Sequence, residues 1–150
     1  MIDTHNHLYK WLTIATVGIG TLASTLDGSI INLAYPVLTD AFDTTPSTVL
    51  WVTVGFLLVS ASVALPLGTI GDIFGRKRIY ILGLLVFSFA LALAGASQSI
   101  GQLISFRMLQ GIGQGMMVAT SNALIVSAFP NHQRGRALGI NGALVGIGLA

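Results

Sequence analysis

Residues 44–71, TTPSTVLWVTVGFLLVSASVALPLGTIG, contain no Asp, Glu, Lys or Arg. A helix that crosses the hydrocarbon core of a bilayer needs about 20 predominantly apolar residues. The apolar part of this stretch is long enough, and charged residues stand close to both of its ends. The stretch therefore predicts a membrane-spanning helix over about residues 48–70.

The rest of the chain repeats this pattern, with further charge-free runs on both sides. The last run, at 1.5 Å per residue, covers about 21 Å, which is short of the roughly 30 Å hydrocarbon core. We therefore expect an incomplete last helix, a chain that is a fragment of a longer protein, and a polar tail over residues 1–10. The predicted spans are residues 11–35, 48–70, 79–97, 101–127 and, incomplete, 137–150.

Composition agrees with a membrane environment. Hydrophobic residues make up 53% of the chain and charged residues 8%, against about 25% charged residues in a soluble domain. The net charge of +2 comes from basic residues spread over short segments, which is not the basic patch of a nucleic-acid-binding protein. The chain has no cysteine, so disulfides and thiolate metal sites are excluded. The sequence predicts an all-α membrane protein with the lipid bilayer as its environment.

The basic residues predict the orientation, because Lys and Arg favour cytoplasmic loops. One precedes the first span, three lie between the second and third spans, and two lie between the fourth and fifth. The loops on the other side contain Asp40 and Asp43 but no Lys or Arg. We therefore expect a multi-pass protein of the cell membrane, the inner membrane where there are two, with a cytoplasmic amino terminus. The six basic residues are Lys10, Arg76, Lys77, Arg78, Arg134 and Arg136.

A cleavable secretory signal is an alternative for the first segment. Lys10, the apolar run after it and the small residues at positions 21–24 resemble a cleavage site. The apolar stretch continues beyond these residues, however, and further spans follow. The pattern favours a retained first helix.

Two charged residues lie inside predicted spans. Asp27 is about 12 Å from the outer end of the first span, and Arg107 is about 9 Å from the outer end of the fourth. Such a charge costs about 2.5–3.5 kcal/mol on insertion scales, and it marks a functional site by default. Their similar depth makes mutual neutralisation or a shared aqueous cavity geometrically possible. The alternative is that each side chain extends to the outer membrane–water interface or pairs with a residue on helices that this chain lacks.

Glycine and histidine provide weaker signals. Gly111, Gly113 and Gly115 follow Arg107, and small residues let helices approach closely in a membrane. A dinucleotide-binding fingerprint would need a preceding strand, and none is predicted here. His5 and His7 lie in a polar tail without further ligands nearby, so no metal site is expected.

Three segments together resemble the drug:proton antiporters of the major facilitator superfamily. Residues 68–78, GTIGDIFGRKR, are similar to that superfamily's signature between its second and third helices. Positive-inside charge explains the basic residues but not Gly68, Asp72 and Gly75 at this spacing. The signature carries over to Arg76 and Lys77, whereas Ile73 stands where the family usually has a basic residue.

The other two segments lie on the first and fourth spans. Residues 103–113, LISFRMLQGIG, are similar to the family's fourth-helix motif, whose arginine is linked to proton coupling. The positions that match this motif are Arg107, Gln110, Gly111 and Gly113. Gln114 departs from the small residue usual there. Residues 26–36, LDGSIINLAYP, with Asn32 and Pro36, resemble the first-helix motif of the fourteen-span, EmrB/QacA-like branch. The resemblance assigns six residues of these two helices to helix packing: Asn32, Pro36, Gln110, Gly111, Gly113 and Gly115.

The resemblance implies a major facilitator helical bundle, here its amino-terminal four spans plus an incomplete fifth. Family members are secondary active transporters and not enzymes, and they use a proton gradient instead of a cofactor. The implied function is proton-coupled efflux of small amphipathic or cationic compounds. These compounds and the remaining transmembrane helices of the full-length chain are the expected partners. Asp27 and Arg107 would carry proton or substrate coupling, and Asp72 with Gly68 and Gly75 would latch the cytoplasmic face.

Two alternative functions stay open at this point. One is a proton-coupled uptake symporter of the same superfamily. The other is a membrane assembly or sensor domain that uses the scaffold without moving a solute.

Overall fold

The computed structural model describes residues 7–149. Within this range every regular element is a helix, and each connection between helices is short. The predicted all-α class is therefore confirmed. The five helices are α1 (His7–Ala41), α2 (Pro46–Phe74), α3 (Arg76–Gly95), α4 (Ile100–Ala128) and α5 (Asn131–Leu149).

The helices extend beyond most of the predicted spans. α1 begins at His7, so residues 7–10 of the predicted tail are helical, and it continues past Pro36 to Ala41. A proline inside a helix removes one backbone hydrogen bond, which here does not end the helix. α5 begins at Asn131, six residues before the predicted fifth span. Residues 1–6, including His5, lie outside the described residues.

Among the described residues, α1 (from Leu8), α2 and α3 are long and apolar enough to cross a membrane by length and composition. α4 is not in that group because it contains Arg107 and many glycine and polar residues. It lies within the bundle, where it contacts the other four helices. A helix enclosed by its neighbours presents less surface to lipid, and its composition is therefore set by packing rather than by hydropathy.

Local sequence explains where the helices begin and end. Thr45 caps α2 by accepting a hydrogen bond from the Thr48 amide, and Ser99 caps α4 by accepting one from the Gln102 amide at 3.3 Å. Ser and Thr are favoured at this position because they satisfy free amide groups of the first turn. Gly75 alone separates α2 from α3, with φ of 102°, a conformation that favours glycine.

Alternating glycines hold α4 between α2 and α3. A Cβ atom at Gly111 would lie 2.6 Å from the Phe56 carbonyl oxygen of α2, and one at Gly113 would lie 2.6 Å from the Gly83 carbonyl oxygen of α3. Residues two apart on a helix are rotated by about 200°, so they face opposite sides. Gly115, one turn beyond Gly111, again meets α2. The spacing therefore lets two neighbouring backbones approach α4 closely.

Polar contacts attach α1 to three other helices. The Tyr80 hydroxyl of α3 donates to the Val17 carbonyl oxygen at 3.2 Å. The Thr21 hydroxyl donates to the Asn141 side-chain oxygen of α5 at 2.9 Å, and the Tyr35 hydroxyl donates to Thr53 of α2 at 2.7 Å. These bonds fix the position of α1, on which Asp27 lies, against the rest of the bundle.

Candidate functional site

A buried ion pair joins α1 to α4. Arg107 Nη1 lies 2.6 Å from Asp27 Oδ2, and the two residues are 1% and 8% exposed. The structure thus brings together the two charged residues that the sequence singled out as intramembrane. A charge-assisted hydrogen bond of this length is among the stronger polar contacts in a protein.

Two further side chains surround the guanidinium. Gln110 Oε1 accepts a second hydrogen bond from Arg107 Nη1 at 2.7 Å, and the Phe56 ring centroid lies 4.6 Å from Arg107 Cζ. A cation over an aromatic face is stabilised by about 0.5–2 kcal/mol, more where water is excluded. The arginine is therefore held from three helices, with Phe56 on α2.

The site keeps unused donors. Arg107 Nε and Gln110 Nε2 are buried and have no hydrogen-bond partner among residues 7–149. A buried donor without a partner costs free energy, so a rearrangement that gives these groups a partner is favoured. Both groups could therefore donate to a further acceptor placed next to them.

The loop residues form a separate cluster at the α2–α3 junction. Arg76 Nε lies 2.8 Å from Asp72 Oδ1. The two residues are four positions apart in the chain, on either side of Gly75, which joins α2 to α3. Both side chains are largely exposed. A Cβ atom at Gly68 would touch Ala119 of α4 at 3.8 Å, and the Lys77 ammonium lies 6.0 Å from the Tyr9 ring centroid. Asp72 is thus paired within its own loop, not with the buried site.

The residues assigned to helix packing separate into three groups. Gly111, Gly113 and Gly115 lie at close helix contacts. Gln110 is fully buried and belongs to the hydrogen-bond network of Arg107. Asn32 and Pro36 are exposed on α1.

Sequence reasoning missed two parts of the site. Gln110 was assigned to packing, although its spacing of three residues from Arg107 places both on one helix face and could have indicated a hydrogen bond. Phe56 had no sequence signal, because its place beside Arg107 depends on how α2 crosses α4.

The chain matches the Major Facilitator Superfamily over residues 17–150, which is nearly its whole length. With the helical bundle and the buried charge pair described above, this match shows that the chain belongs to the major facilitator superfamily. That membership places the chain in a family of membrane transporters rather than of enzymes.

Relatives with assigned names cover most of the chain. It is 38% identical over 139 residues to a riboflavin transporter of Clostridioides difficile, covering 93% of the chain and 30% of that protein. It is 35% identical over 138 residues to a multidrug transporter protein of Bacillus subtilis, covering 92% and 25%. It is 30% identical over 140 residues to a tetracenomycin C resistance and export protein of Streptomyces glaucescens, covering 93% and 26%. The chain spans less than a third of the length of these relatives.

Proposed function

We propose that this chain is part of a proton-coupled exporter of small amphipathic or cationic compounds in the cell membrane. The observation that carries the proposal is the buried pair between Arg107 and Asp27, which connects α1 and α4. A carboxylate is the group in this pair that can take up a proton. Relatives named for multidrug transport and for tetracenomycin C resistance and export support export as the direction.

Protonation of Asp27 would change the bundle through Arg107. A neutral Asp27 leaves the guanidinium buried without its counter-charge, which costs about 3–5 kcal/mol for a buried pair in general. Arg107 retains the Gln110 oxygen at 2.7 Å, and its free Nε then gains a partner if the helices shift. Proton binding would thereby favour a second arrangement of α1 against α4.

A cationic substrate would act on the same pair. It competes with Arg107 for the Asp27 carboxylate, so binding of the cation and binding of the proton exclude each other. One proton moving down about 150 mV supplies roughly 3.5 kcal/mol, equivalent to a gradient of a few hundred-fold for a neutral solute. The proton gradient is the energy source in this scheme, and no cofactor takes part.

The exposed loop would act as a latch on the cytoplasmic face. Asp72 binds Arg76 across Gly75 in this conformation, and an exposed pair of this kind contributes about 0–1 kcal/mol. A contact of that strength breaks and re-forms easily. We therefore assign Asp72, with Gly68 and Gly75, to conformational control through close contacts with the remaining helices.

Reconstituted vesicles containing the full-length transporter test the coupling role. Asp27→Asn should abolish substrate-driven proton release, because an amide cannot carry the proton. Asp40→Asn, the same change at an exposed position of α1, should leave release unchanged. If Asp27→Asn vesicles kept the wild-type proton-to-substrate ratio, Asp27 would be at most a substrate contact and the coupling proposal would fail.

Orientation is tested separately by labelling single cysteines in a cysteine-free background. The Lys77→Cys variant should react with a membrane-impermeant maleimide only after the membrane is permeabilised. The Ser99→Cys variant should react in intact cells. Both positions are exposed, so access to the protein surface does not limit labelling. The reverse pattern would overturn the cytoplasmic assignment of the amino terminus.

A second candidate function is proton-coupled uptake. One relative is named as a riboflavin transporter, a name that states transport without a direction and is therefore compatible with uptake. Energised vesicles of known orientation distinguish the two functions: uptake predicts that solute and proton move in the same direction, whereas export predicts opposite directions.

A further inference from the structure

The aromatic ring of Phe56 lies against Arg107, the buried cation of the site. The ring centroid is 4.6 Å from Arg107 Cζ, within the distance of about 6 Å at which an aromatic face attracts a cation. Phe56 and Arg107 are 8% and 1% exposed, so little water competes for the guanidinium. Because this attraction is largest for a desolvated cation, the contact is one of the stronger kind.

Close contacts between α2 and α4 fix the position of the ring. A Cβ atom at Gly111, one turn from Arg107, would lie 2.6 Å from the Phe56 carbonyl oxygen. A Cβ atom at Gly55 would lie 2.9 Å from the Met108 methyl carbon. The backbone that carries the ring therefore lies directly against the turn of α4 that carries the arginine, and α2 and α4 together hold the ring beside the guanidinium.

The partners of Arg107 differ in their response to a proton. Asp27, on α1, loses its negative charge when it binds a proton. Phe56 has no titrating group, and Gln110 Oε1, which accepts from Arg107 Nη1 at 2.7 Å, belongs to a neutral amide. Phe56 and Gln110 therefore attract the guanidinium in either protonation state of Asp27, and they lie on α2 and α4.

We propose that Phe56 is a positioning residue that keeps Arg107 between α2 and α4 when Asp27 binds a proton. The guanidinium stays beside the ring, and α1, with its neutral Asp27, is the helix that is released. When the proton leaves, the arginine is in place to bind the carboxylate again. The inference rests on the proposed proton coupling and specifies which helix moves during it.

Fluorinated phenylalanines at position 56 test the inference in the full-length transporter. The negative face of an aromatic ring attracts the cation, and one, two or three fluorine atoms weaken that face in steps while the ring keeps nearly the same size. The unfolding temperature of the detergent-solubilised protein should fall with each fluorine, by about 2–4 °C with three.

Phe87 provides the matched control. It is 1% exposed, and no cation lies over its ring among residues 7–149. The same fluorine series at position 87 should therefore give no stepwise fall in unfolding temperature. Equal falls at both positions would show that fluorine acts through packing, which overturns the inference.

The Asp27→Asn variant imitates the protonated carboxyl group and decides whether the arginine stays. The fluorine series at position 56 should lower its unfolding temperature by the same steps as in the wild type, because Arg107 remains beside the ring. Steps that occur in the wild type but not in Asp27→Asn would show that the arginine leaves the ring with its counter-charge. Absence of steps in both proteins would show that Phe56 only fills space. Each of these two results overturns the inference.

Ethidium transport by reconstituted vesicles gives a readout that does not need the Asp27 variant. Three fluorines at position 56 should lower the maximal rate about ten-fold, because an arginine that leaves the ring must return before the next cycle. The KM for ethidium should stay within about two-fold, since the ring holds Arg107 and not the solute. A wild-type rate with three fluorines would overturn the inference.

The unfolding measurements need no substrate, so they also separate this inference from the proposed function. Fluorine steps that persist in Asp27→Asn, together with wild-type vesicles that move no protons, would support the role of Phe56 in holding Arg107. The same pair of results would overturn only the proposed proton-coupled export.

Discussion

Two carboxylate–guanidinium pairs of nearly equal length occur in this bundle. Arg107 and Asp27 meet at 2.6 Å in the interior, and Arg76 and Asp72 meet at 2.8 Å at the α2–α3 junction. The side chains of the second pair are 42% and 60% exposed, whereas those of the first are 2% and 8% exposed. The chemistry is the same, and the environment differs.

That difference changes what each pair can do. Water screens the attraction within the exposed pair and solvates both charges when the pair breaks. The exposed pair therefore contributes about 0–1 kcal/mol to stability. The buried pair has no such substitute, and loss of one partner leaves a charge in a medium that cannot solvate it. Breaking the buried pair without replacing its partner therefore costs more free energy than breaking the exposed pair.

The largest expected effect is that of removing the buried cation. Arg107→Met in the full-length protein leaves Asp27 buried without its counter-charge, and we expect a destabilisation of about 3–5 kcal/mol. Thermal unfolding of the detergent-solubilised protein measures it. The double variant Asp27→Asn with Arg107→Met should recover most of the stability but no proton-coupled transport. A double variant as unstable as the single one would show that the arginine acts through packing.

The next effect tests whether the close helix contacts hold the pair in place. Gly113→Ala puts a Cβ atom 2.6 Å from the Gly83 carbonyl oxygen, so α3 and α4 must separate. We expect a cost of about 1–3 kcal/mol, as for overpacked cores. Gly101→Ala is the control, because nothing lies within 4 Å of its added Cβ atom. Equal unfolding temperatures for the two variants would contradict the close-packing interpretation.

A smaller stability effect is expected when the charge is kept and its shape is changed. Arg107→Lys retains the cation but loses the planar, multi-donor guanidinium that contacts both Asp27 and Gln110. We expect about 1 kcal/mol of destabilisation, as for one net hydrogen bond, together with loss of proton-coupled transport. Transport at the wild-type rate would show that the positive charge of Arg107 is sufficient and that its planar shape is not required.

The smallest stability effect belongs to the exposed pair. Asp72→Asn should change the free energy of unfolding by less than about 1 kcal/mol, while impairing transport through the proposed latch. Abundance in the membrane and transport rate, measured on the same preparation, separate the two effects. A parallel loss of protein and activity would indicate a structural role, and the contrast with Asp27 would disappear.

The chain itself predicts much of this bundle. Charge-free runs indicate where the helices are, and the resemblance carried by residues 68–78 and 103–113 indicates the family. Helix ends were less predictable: Pro36 favours a loop, yet α1 continues to Ala41, because one lost hydrogen bond is outweighed by those of the surrounding turns. α4 is predicted as a span from its lack of charge around Arg107, although its polar and glycine residues lower its hydropathy.

The sequence by itself determined the helical class, the family and the two residues whose charge is costly in a membrane. The helical class and the two charged residues follow from composition and spacing, and the family follows from the resemblance of short motifs; all of these are local features of the chain. Only the tertiary structure decided that Asp27 and Arg107 touch, and that Gln110 and Phe56 complete the network. Such contacts join residues far apart in the chain, and they depend on the rotation and crossing of whole helices, which no short stretch of sequence specifies.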